Sequence, residues 1–191
     1  MTLIPKVTRH RFAITGAQGS GKTTLAIALY EASLREFPER CALLSGIGHE
    51  VAGKGYPLGL EATAETIFAF GAAHLRRERE CISALVIQDR CLVDLLAYAR
   101  VRNCLGSAAV ELLEQLVIYA CSTFDAIFYL PISEATRAIV RSSENADFRA
   151  AVDGRIEQLS RELGLVLLEI VGTAEERLAA AFAIVRERMR S

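Results

Sequence analysis

Residues 12–24 decide the fold, and they read Phe-Ala-Ile-Thr-Gly-Ala-Gln-Gly-Ser-Gly-Lys-Thr-Thr. The run at 12–15 is mostly apolar and ends at a glycine, as in a strand that is buried on both faces. Leu25, Ala28, Leu29 and Ala32 then recur at helical spacing. A glycine-rich turn between a buried strand and a helix is a setting in which backbone N–H groups bind phosphate. The stretch therefore predicts a phosphate-binding loop near the start of an α/β domain.

Residues 16–23 match the pattern G-x-x-x-x-G-K-S/T and are called the P-loop below. Lys22 supplies a full positive charge for the β- and γ-phosphates, and the Thr23 hydroxyl is a hard oxygen suited to Mg²⁺. We therefore predict that the chain binds ATP together with Mg²⁺. The predicted nucleotide-binding residues are Gly16, Ala17, Gln18, Gly19, Ser20, Gly21, Lys22, Thr23 and Thr24.

A carboxylate follows the third predicted strand. Residues 84–87 form an apolar run in the predicted strand 84–88, and Asp89 comes directly after that strand. In a parallel sheet this carboxylate would lie beside the P-loop and face the water shell of the metal. We predict that Asp89 binds Mg²⁺ indirectly. The alternative is an aspartate that only caps the next helix.

Strands and helices alternate along the rest of the chain. Strands are predicted over residues 12–16, 41–45, 84–88, 126–130 and 165–171. Helices are predicted over residues 23–34, 63–80, 94–102, 107–120, 148–163 and from a capping box at Thr173 to about 190. Ser107 is expected to cap its helix, and Gly164 is expected to end another in the left-handed conformation.

Residues 46–59 contain five glycines and one proline, which predicts a long loop. No hairpin turn separates the strands. The pattern therefore predicts an α/β fold with a doubly wound, five-stranded parallel sheet covered by helices on both faces. We expect one domain over residues 1–191.

Composition excludes several classes of protein. The formal net charge of −1 gives no basic field for nucleic acid, so no specific nucleic-acid partner is expected. The apolar runs are shorter than a membrane span, and residues 1–11 lack the apolar core of a secretory signal. The five cysteines are odd in number and show no metal-binding spacing. We expect a cytoplasmic protein with reduced cysteines and no membrane partner.

Two further patterns narrow the class of P-loop protein. A guanine-specific switch would carry an N-K-x-D loop, but the only asparagines are Asn103 and Asn145, in other contexts. Asp89 is followed by Arg90, Asp94 and then Ala-Tyr at residues 97–98. This arrangement resembles the nucleoside and nucleotide kinases, including thymidylate kinase, deoxynucleoside kinases and ribosylnicotinamide kinase domains. The segment 148–153 also resembles the helix beside the lid in small predicted kinases often labelled AAA-type ATPases.

The resemblance covers nearly the whole chain and implies a sheet order of 2-3-1-4-5. It also implies that Arg90 holds a phosphate or the acceptor oxygen. The alternative for Arg90 is a surface ion pair. In the predicted acceptor loop, Glu50 would orient or deprotonate an acceptor hydroxyl. A solvated loop acid is the alternative for Glu50.

The same resemblance places a lid after the fourth strand, where arginines reach the transferred phosphoryl group. Arg137, Arg141 and Arg149 bracket that position, and Arg141 is the predicted catalytic member; a solvated helix face is the alternative for each. By resemblance alone, residues 172–174 would contact adenine. His74, on a predicted helix, is expected to be a packed histidine rather than a ligand.

These features predict Mg²⁺-assisted phosphoryl transfer from ATP to a small-molecule acceptor, which would be nucleoside- or nucleotide-like. The alternative function is a non-kinase P-loop ATPase that acts as a switch or a partner-driven module. The sequence leaves the acceptor and the oligomeric state open, and a homodimer is compatible with it.

Overall fold

A computed structural model describes residues 9–38, 40–133 and 145–190. Its strands are β1 (His10–Thr15), β2 (Cys41–Leu44), β3 (Leu85–Asp89), β4 (Ala126–Tyr129) and β5 (Leu168–Glu169). Its α-helices in the described ranges are α1 (Lys22–Glu36), α2 (Ile47–Gly53), α3 (Ala64–Glu80), α4 (Leu92–Arg102), α5 (Ser107–Cys121), α6 (Ala146–Glu162) and α7 (Ala174–Arg190). A short 3-10 turn covers Gly59–Glu61.

The strands form one parallel sheet in the order β2-β3-β1-β4-β5. This confirms the predicted fold class and strand order. Alternate residues of β1 face opposite layers, as the two-residue period of a strand requires. Phe12 and Ile14 belong to a core with α1 and α7, whereas Ala13 belongs to a core with α4, α5 and α6. Both faces of the sheet are therefore covered.

The helix ends show which local predictions were right. Gly164 follows α6 with a φ of 63°, so the predicted left-handed glycine is confirmed. At α7 the predicted capping box is also present, because the Thr173 N–H donates to the Glu176 carboxylate and the Glu176 N–H donates to the Thr173 hydroxyl. Ser107 was wrongly predicted as a cap. It is the first residue of α5, and Gly106 occupies the cap position without a side-chain hydrogen bond.

The prediction of an irregular loop over residues 46–59 was wrong in part, because α2 lies inside it. Gly46 starts this helix with a φ of 75°, a conformation that a residue without Cβ adopts at low cost. Ile47 and Val51, four residues apart, are both buried against Ala73 of α3. Burial of this apolar face stabilises a helix that the glycine content alone would disfavour.

The fifth strand is also shorter than predicted. Only Leu168–Glu169 pairs with β4, although apolar residues run from 165 to 171. Val166 and Val171 are exposed, so the apolar run continues beyond the hydrogen-bonded part of the edge strand. Within the described ranges, none of the helices has the length and apolar character needed to cross a membrane.

Candidate functional site

The P-loop lies at the carboxyl end of β1, where three strands end side by side. Ile14 of β1 pairs with Asp89 of β3, and Thr15 pairs with Tyr129 of β4. Residues that follow these strands therefore meet at one edge of the sheet, which is the usual position of a ligand site in an open parallel sheet.

Close packing at the first turn of the P-loop requires a glycine. Gly16 has a φ of 149°, and a Cβ atom there would lie 2.4 Å from the carbonyl oxygen of Leu130. The chain can therefore turn from β1 into the P-loop beside Leu130 only without a side chain at this position. The N-cap of α1 is Gly21, so the helix begins at Lys22 and its amino end faces the loop.

Lys22 is buried inside the P-loop. Its ammonium donates hydrogen bonds to the carbonyl oxygens of Gly16 at 2.7 Å and Ala17 at 2.6 Å. These bonds satisfy carbonyls on the first turn, and they hold the charge where a phosphate would be bound. Only 4% of the Lys22 surface is exposed.

Two buried arginines bind the next carbonyl groups of the P-loop. Arg149 of α6 donates from Nε to the Gln18 oxygen at 2.8 Å. Arg177 of α7 donates from Nη1 to the Ser20 oxygen at 2.9 Å. Arg149 and Arg177 are 1% and 7% exposed, so neither lies on a solvated helix face. Helices from opposite sides of the sheet thus hold the backbone of the loop.

Asp94 of α4 holds the base of the P-loop. One carboxylate oxygen accepts from the Thr15 hydroxyl at 2.8 Å and from the Gly16 N–H at 3.0 Å. The other accepts from the Cys91 N–H at 3.2 Å, which completes the first turn of α4. Asp94 is 3% exposed, and these donors offset the hydration that its carboxylate loses on burial.

Asp153 brings α6 to the same region. It lies four residues after Arg149, which places both side chains on one helix face. The Ile132 N–H donates to its carboxyl group at 2.9 Å. Burial raises the pKa of the Asp153 carboxyl, while hydrogen bonds from Ile132 and Ala17 of the P-loop oppose the rise. The α6 face therefore contacts both the P-loop and the segment after β4.

Thr23 and Asp89 are in direct contact. The Thr23 hydroxyl donates to Asp89 Oδ2 at 2.8 Å, and Asp89 is 6% exposed. Asp89 Oδ1 is buried and has no hydrogen-bond partner within the described residues. A hydroxyl, a carboxylate and a spare buried oxygen fit Mg²⁺, which proteins often bind through one or two carboxylates plus substrate phosphates. No group of three or more His, Cys, Asp or Glu side chains with metal-site geometry occurs in the described ranges.

Arg90 follows Asp89 in an unusual backbone conformation. Its φ is 81°, in the left-handed region that side chains with a Cβ seldom adopt, and its N–H donates to the Ile14 oxygen at 3.0 Å. The conformation costs on the order of 1 kcal/mol or more. It places the Arg90 side chain at the wall of a cavity beside the P-loop.

Glu50 lies on α2, in a setting different from the loop expected for it. Its carboxylate accepts from Lys54 at 2.8 Å and from Arg76 at 2.6 Å, and it also binds Arg77. Hydrogen bonds from Lys54 and Arg76 lower the pKa of Glu50 to about 2. Glu50 does not line the cavity. A role as catalytic base stays a prediction, and these ion pairs hold α2 against α3.

Two sequence predictions concern the lid and the adenine contact. Arg137 and Arg141 lie outside the described residues, so the prediction for Arg141 stays a prediction. Residues 172–173 precede α7, and Ala174 is the first residue of that helix, which carries Arg177 to the P-loop. An adenine contact at residues 172–174 also stays a prediction.

A cavity of about 100 Å³ opens next to the P-loop, between α3 and α4, and we call it the α3–α4 cavity. Residues from the P-loop, from α3 and α4, and from the start of the β3–α4 connection line it. They include Gln18, Phe70, His74, Arg90, Leu95 and Tyr98.

His74 is buried in the wall of this cavity. Its Nδ1 is hydrogen bonded to the side-chain amide of Gln88 on β3 at 2.9 Å. Burial lowers the pKa of His74 to about 4; Asp94 opposes this shift, whereas Arg90 and Arg77 add to it. His74 was expected to be a packed histidine, and it is buried as expected. Its position in the wall of the cavity was not predicted.

Sequence reasoning missed several residues that shape the site. Asp94 and Asp153 were noted only as parts of the family resemblance, and Arg177 was not noted. The spacing of Arg149 and Asp153 on one helical face was available in the sequence. Nothing local distinguishes Arg177 from the other arginines, because its P-loop partner is far away in the chain.

The hydrogen bond from Arg177 to Ser20 predicts a loss of nucleotide binding in Arg177→Ala. Because a buried carbonyl left without a donor costs roughly 1 to 3 kcal/mol, the variant should bind ATP roughly 5- to 100-fold more weakly. Calorimetric titration with ATP measures this. Arg186→Ala, which removes an exposed ion pair on the same helix, is the control. Equal ATP affinity in both variants would show that Arg177 does not support the loop.

The pKa of His74 predicts an acid-sensitive contribution to stability. Because its pKa is about 4 when folded and about 6.5 when unfolded, the unfolded chain binds more protons between these values. The contribution of neutral His74 is complete above pH 6.5 and is lost as the pH falls to 4, a loss of about 3 kcal/mol. Urea unfolding of wild type and His74→Gln should therefore give free-energy profiles that differ in slope across this window. Parallel profiles would contradict a lowered pKa for His74 in the folded protein.

Comparison with known proteins agrees with a P-loop at the end of β1 in a parallel sheet. A family model described as an AAA domain matches residues 11–177. Thymidylate kinase from Ehrlichia chaffeensis has a similar structure, with a TM-score of 0.69 and 15% sequence identity over 93% of this chain and 98% of that chain. A search of curated proteins gives no match.

At 15% identity the structural likeness shows a shared fold. The predicted resemblance to P-loop nucleotide kinase-like proteins is confirmed by the family match and by this fold. Since the family model spans most of the sequence, the chain belongs to the AAA domain family and has a P-loop kinase-like fold.

Proposed function

We propose that the protein transfers the γ-phosphoryl group of ATP, with Mg²⁺, to a small-molecule acceptor bound in the α3–α4 cavity. The observation that carries this proposal is the shared wall between the P-loop and the cavity. Gln18 of the P-loop and Arg90, next to Asp89, both line the cavity. A molecule in the cavity would therefore lie beside the triphosphate, as a direct transfer requires.

On the donor side, the P-loop amides and Lys22 would bind the β- and γ-phosphates. Catalysis of phosphoryl transfer depends mainly on positioning and on charges that stabilise the transition state. The carbonyl bonds of Lys22 show that its ammonium already lies within the loop. A short movement would exchange these acceptors for phosphate oxygens.

Thr23 and Asp89 would hold Mg²⁺, Thr23 through its hydroxyl and Asp89 through the water shell. Bound Mg²⁺ neutralises charge on the phosphate oxygens. Asp89 Oδ1, buried and without a partner in the described ranges, supports this role, because a buried carboxylate oxygen needs a compensating group.

On the acceptor side, Arg90 would hold the oxygen that attacks. That oxygen forms a bond to the γ-phosphorus while the bond to the β,γ-bridging oxygen breaks, so that ADP leaves. When the acceptor is a hydroxyl group, its proton passes to solvent or to the product phosphate. Transfer through a loose transition state needs little help from a base, so the proposal does not depend on Glu50.

Lys22→Ala should remove a phosphate contact without unfolding the protein. The expected loss of transition-state stabilisation is roughly 3 kcal/mol or more, which corresponds to at least about a 100-fold lower kcat/KM. The assay follows ADP formation from ATP with a panel of nucleosides, nucleotides, ribosylnicotinamide and pantothenate-type alcohols. Lys54→Ala, at an exposed ion pair, should keep wild-type turnover. Wild-type turnover in Lys22→Ala would rule out the assigned role.

Asp89→Asn and Arg90→Gly should impair the reaction in different ways. A neutral amide at position 89 no longer balances the metal charge, so Asp89→Asn should raise the Mg²⁺ concentration needed for half-maximal turnover. Glycine at position 90 accepts the left-handed backbone, so Arg90→Gly should melt at or above the wild-type temperature. It should keep ATP affinity but weaken productive acceptor binding by roughly 1.5 to 3 kcal/mol.

The controls for this pair are Asp147→Asn and Arg79→Ala, both at exposed positions. Calorimetry gives the ATP affinity, and Mg²⁺ titrations of the acceptor-dependent rate give the metal requirement. If Arg90→Gly lost ATP affinity and acceptor use equally, Arg90 would belong to the donor side, and the proposed acceptor site would be wrong.

A further inference from the structure

The α3–α4 cavity has walls suited to a flat, apolar molecule. Phe70 and Tyr98 contribute aromatic rings, and Ile67 and Leu95 contribute aliphatic surface. The Tyr98 ring makes an edge contact with Phe148, at 5.7 Å between centroids and 70° between ring planes, which fixes its orientation. Aromatic and branched side chains in this arrangement favour a planar ring over a flexible, hydrated chain.

The cavity offers little charge to a bound molecule. Arg90 is the one basic side chain among the described residues that line it. Asp94 is the one acidic side chain of that lining, and both of its oxygens accept hydrogen bonds from Thr15, Gly16 and Cys91. A charged ring placed here would lose its hydration without gaining a dedicated counter-ion.

His74 is a polar group in the wall of the cavity that a ligand can use. The Gln88 side chain binds Nδ1, and either orientation of its amide leaves Nε2 for another partner. His74 Nε2 makes no hydrogen bond within the described residues. The ring is 2% exposed and borders the cavity, so a molecule inside the cavity can reach it.

We propose that the inner part of the α3–α4 cavity binds an uncharged heteroaromatic ring of the acceptor, and that His74 is the specificity-determining residue that hydrogen bonds to the edge of that ring. This inference rests on the function proposed above. The ring could belong to a nucleoside or to its 5′-monophosphate, in which case Arg90 would meet a hydroxyl group or a phosphate.

Acceptor binding tests this inference without any turnover. The protein is saturated with Mg²⁺ and a non-hydrolysable ATP analogue and titrated at pH 7.5 by calorimetry. The probes are the common nucleosides, their 5′-monophosphates, ribosylnicotinamide, whose ring is cationic, and pantothenate, which has no ring. At least one probe with an uncharged ring should bind roughly 10-fold or more tightly than ribosylnicotinamide and pantothenate do. This ratio corresponds to a difference of about 1.4 kcal/mol in binding free energy. Tighter binding of pantothenate or ribosylnicotinamide, or no binding of any uncharged-ring probe, would overturn the proposal.

Variants at His74 then test the hydrogen bond itself. His74→Leu should bind the tightest-binding probe roughly 3- to 10-fold more weakly than the wild type does, which is the effect of one lost hydrogen bond. Its affinity for the ATP analogue should be unchanged. His74→Gln, which keeps a neutral hydrogen-bonding group, should bind more tightly than His74→Leu. His49→Leu, the same change at an exposed site outside the cavity lining, should bind as the wild type does. Unchanged probe affinity in a folded His74→Leu would overturn the role of His74.

The outcomes separate this inference from the proposed function. Ring binding without phosphoryl transfer would count against the kinase function and leave the ring site in place. Transfer to a ring-free alcohol would keep the kinase function and overturn the ring site. Should His74→Leu fail to fold, the probe comparison on the wild-type protein still decides the ring site, and the affinity of His74→Gln for the best probe, measured against the wild type, tests the role of His74.

Discussion

The site depends on one constraint, the pairing of the P-loop carbonyl groups. Backbone N–H groups can point inward at phosphates only if the neighbouring carbonyls point outward, and buried carbonyls need donors. Arg149 and Arg177 supply those donors to the carbonyls of Gln18 and Ser20. Lys22 binds the carbonyls of Gly16 and Ala17 from inside the loop. The loop is therefore held by its own lysine and by two helices from the far end of the chain.

This constraint links the nucleotide site to the rest of the fold. Asp94 holds the base of the P-loop and belongs to α4, whose neighbouring residues line the α3–α4 cavity. Arg149 and Asp153 tie the loop to α6, and Phe148 of that helix packs on Tyr98 at the cavity wall. The proposed donor and acceptor sites thus share the same helices, so a change in one is expected to affect the geometry of the other.

Features governed by local chemistry could be predicted from the sequence. The P-loop and the caps at Gly164 and Thr173 depend on short patterns, and the structure agrees with them. The strand order was implied by the family resemblance alone, and the structure confirms it. The position of Asp89 after a buried strand also placed it beside Thr23. These inferences succeed because neighbours in the sequence, or at the ends of adjacent strands, decide them.

Features governed by distant contacts could not be predicted. The α2 helix forms because Ile47 and Val51 pack on α3, although its glycines indicate a loop. Arg177 acquires its role from Ser20, more than 150 residues earlier. Glu50 was expected in an acceptor loop, but α2 carries it to Arg76 and Arg77. Only the folded arrangement shows which of many similar side chains meet.

The fate of the γ-phosphoryl group tests the central claim most directly. The protein is incubated with Mg²⁺, γ-³²P-labelled ATP and the tightest-binding acceptor, and the labelled products are separated. A kinase that works through the P-loop and the adjoining cavity predicts that the label appears in a new phosphate ester of the acceptor, in amounts equal to the ADP formed. Label found only in inorganic phosphate, at a rate that the acceptor does not change, would contradict phosphoryl transfer and identify a P-loop ATPase instead.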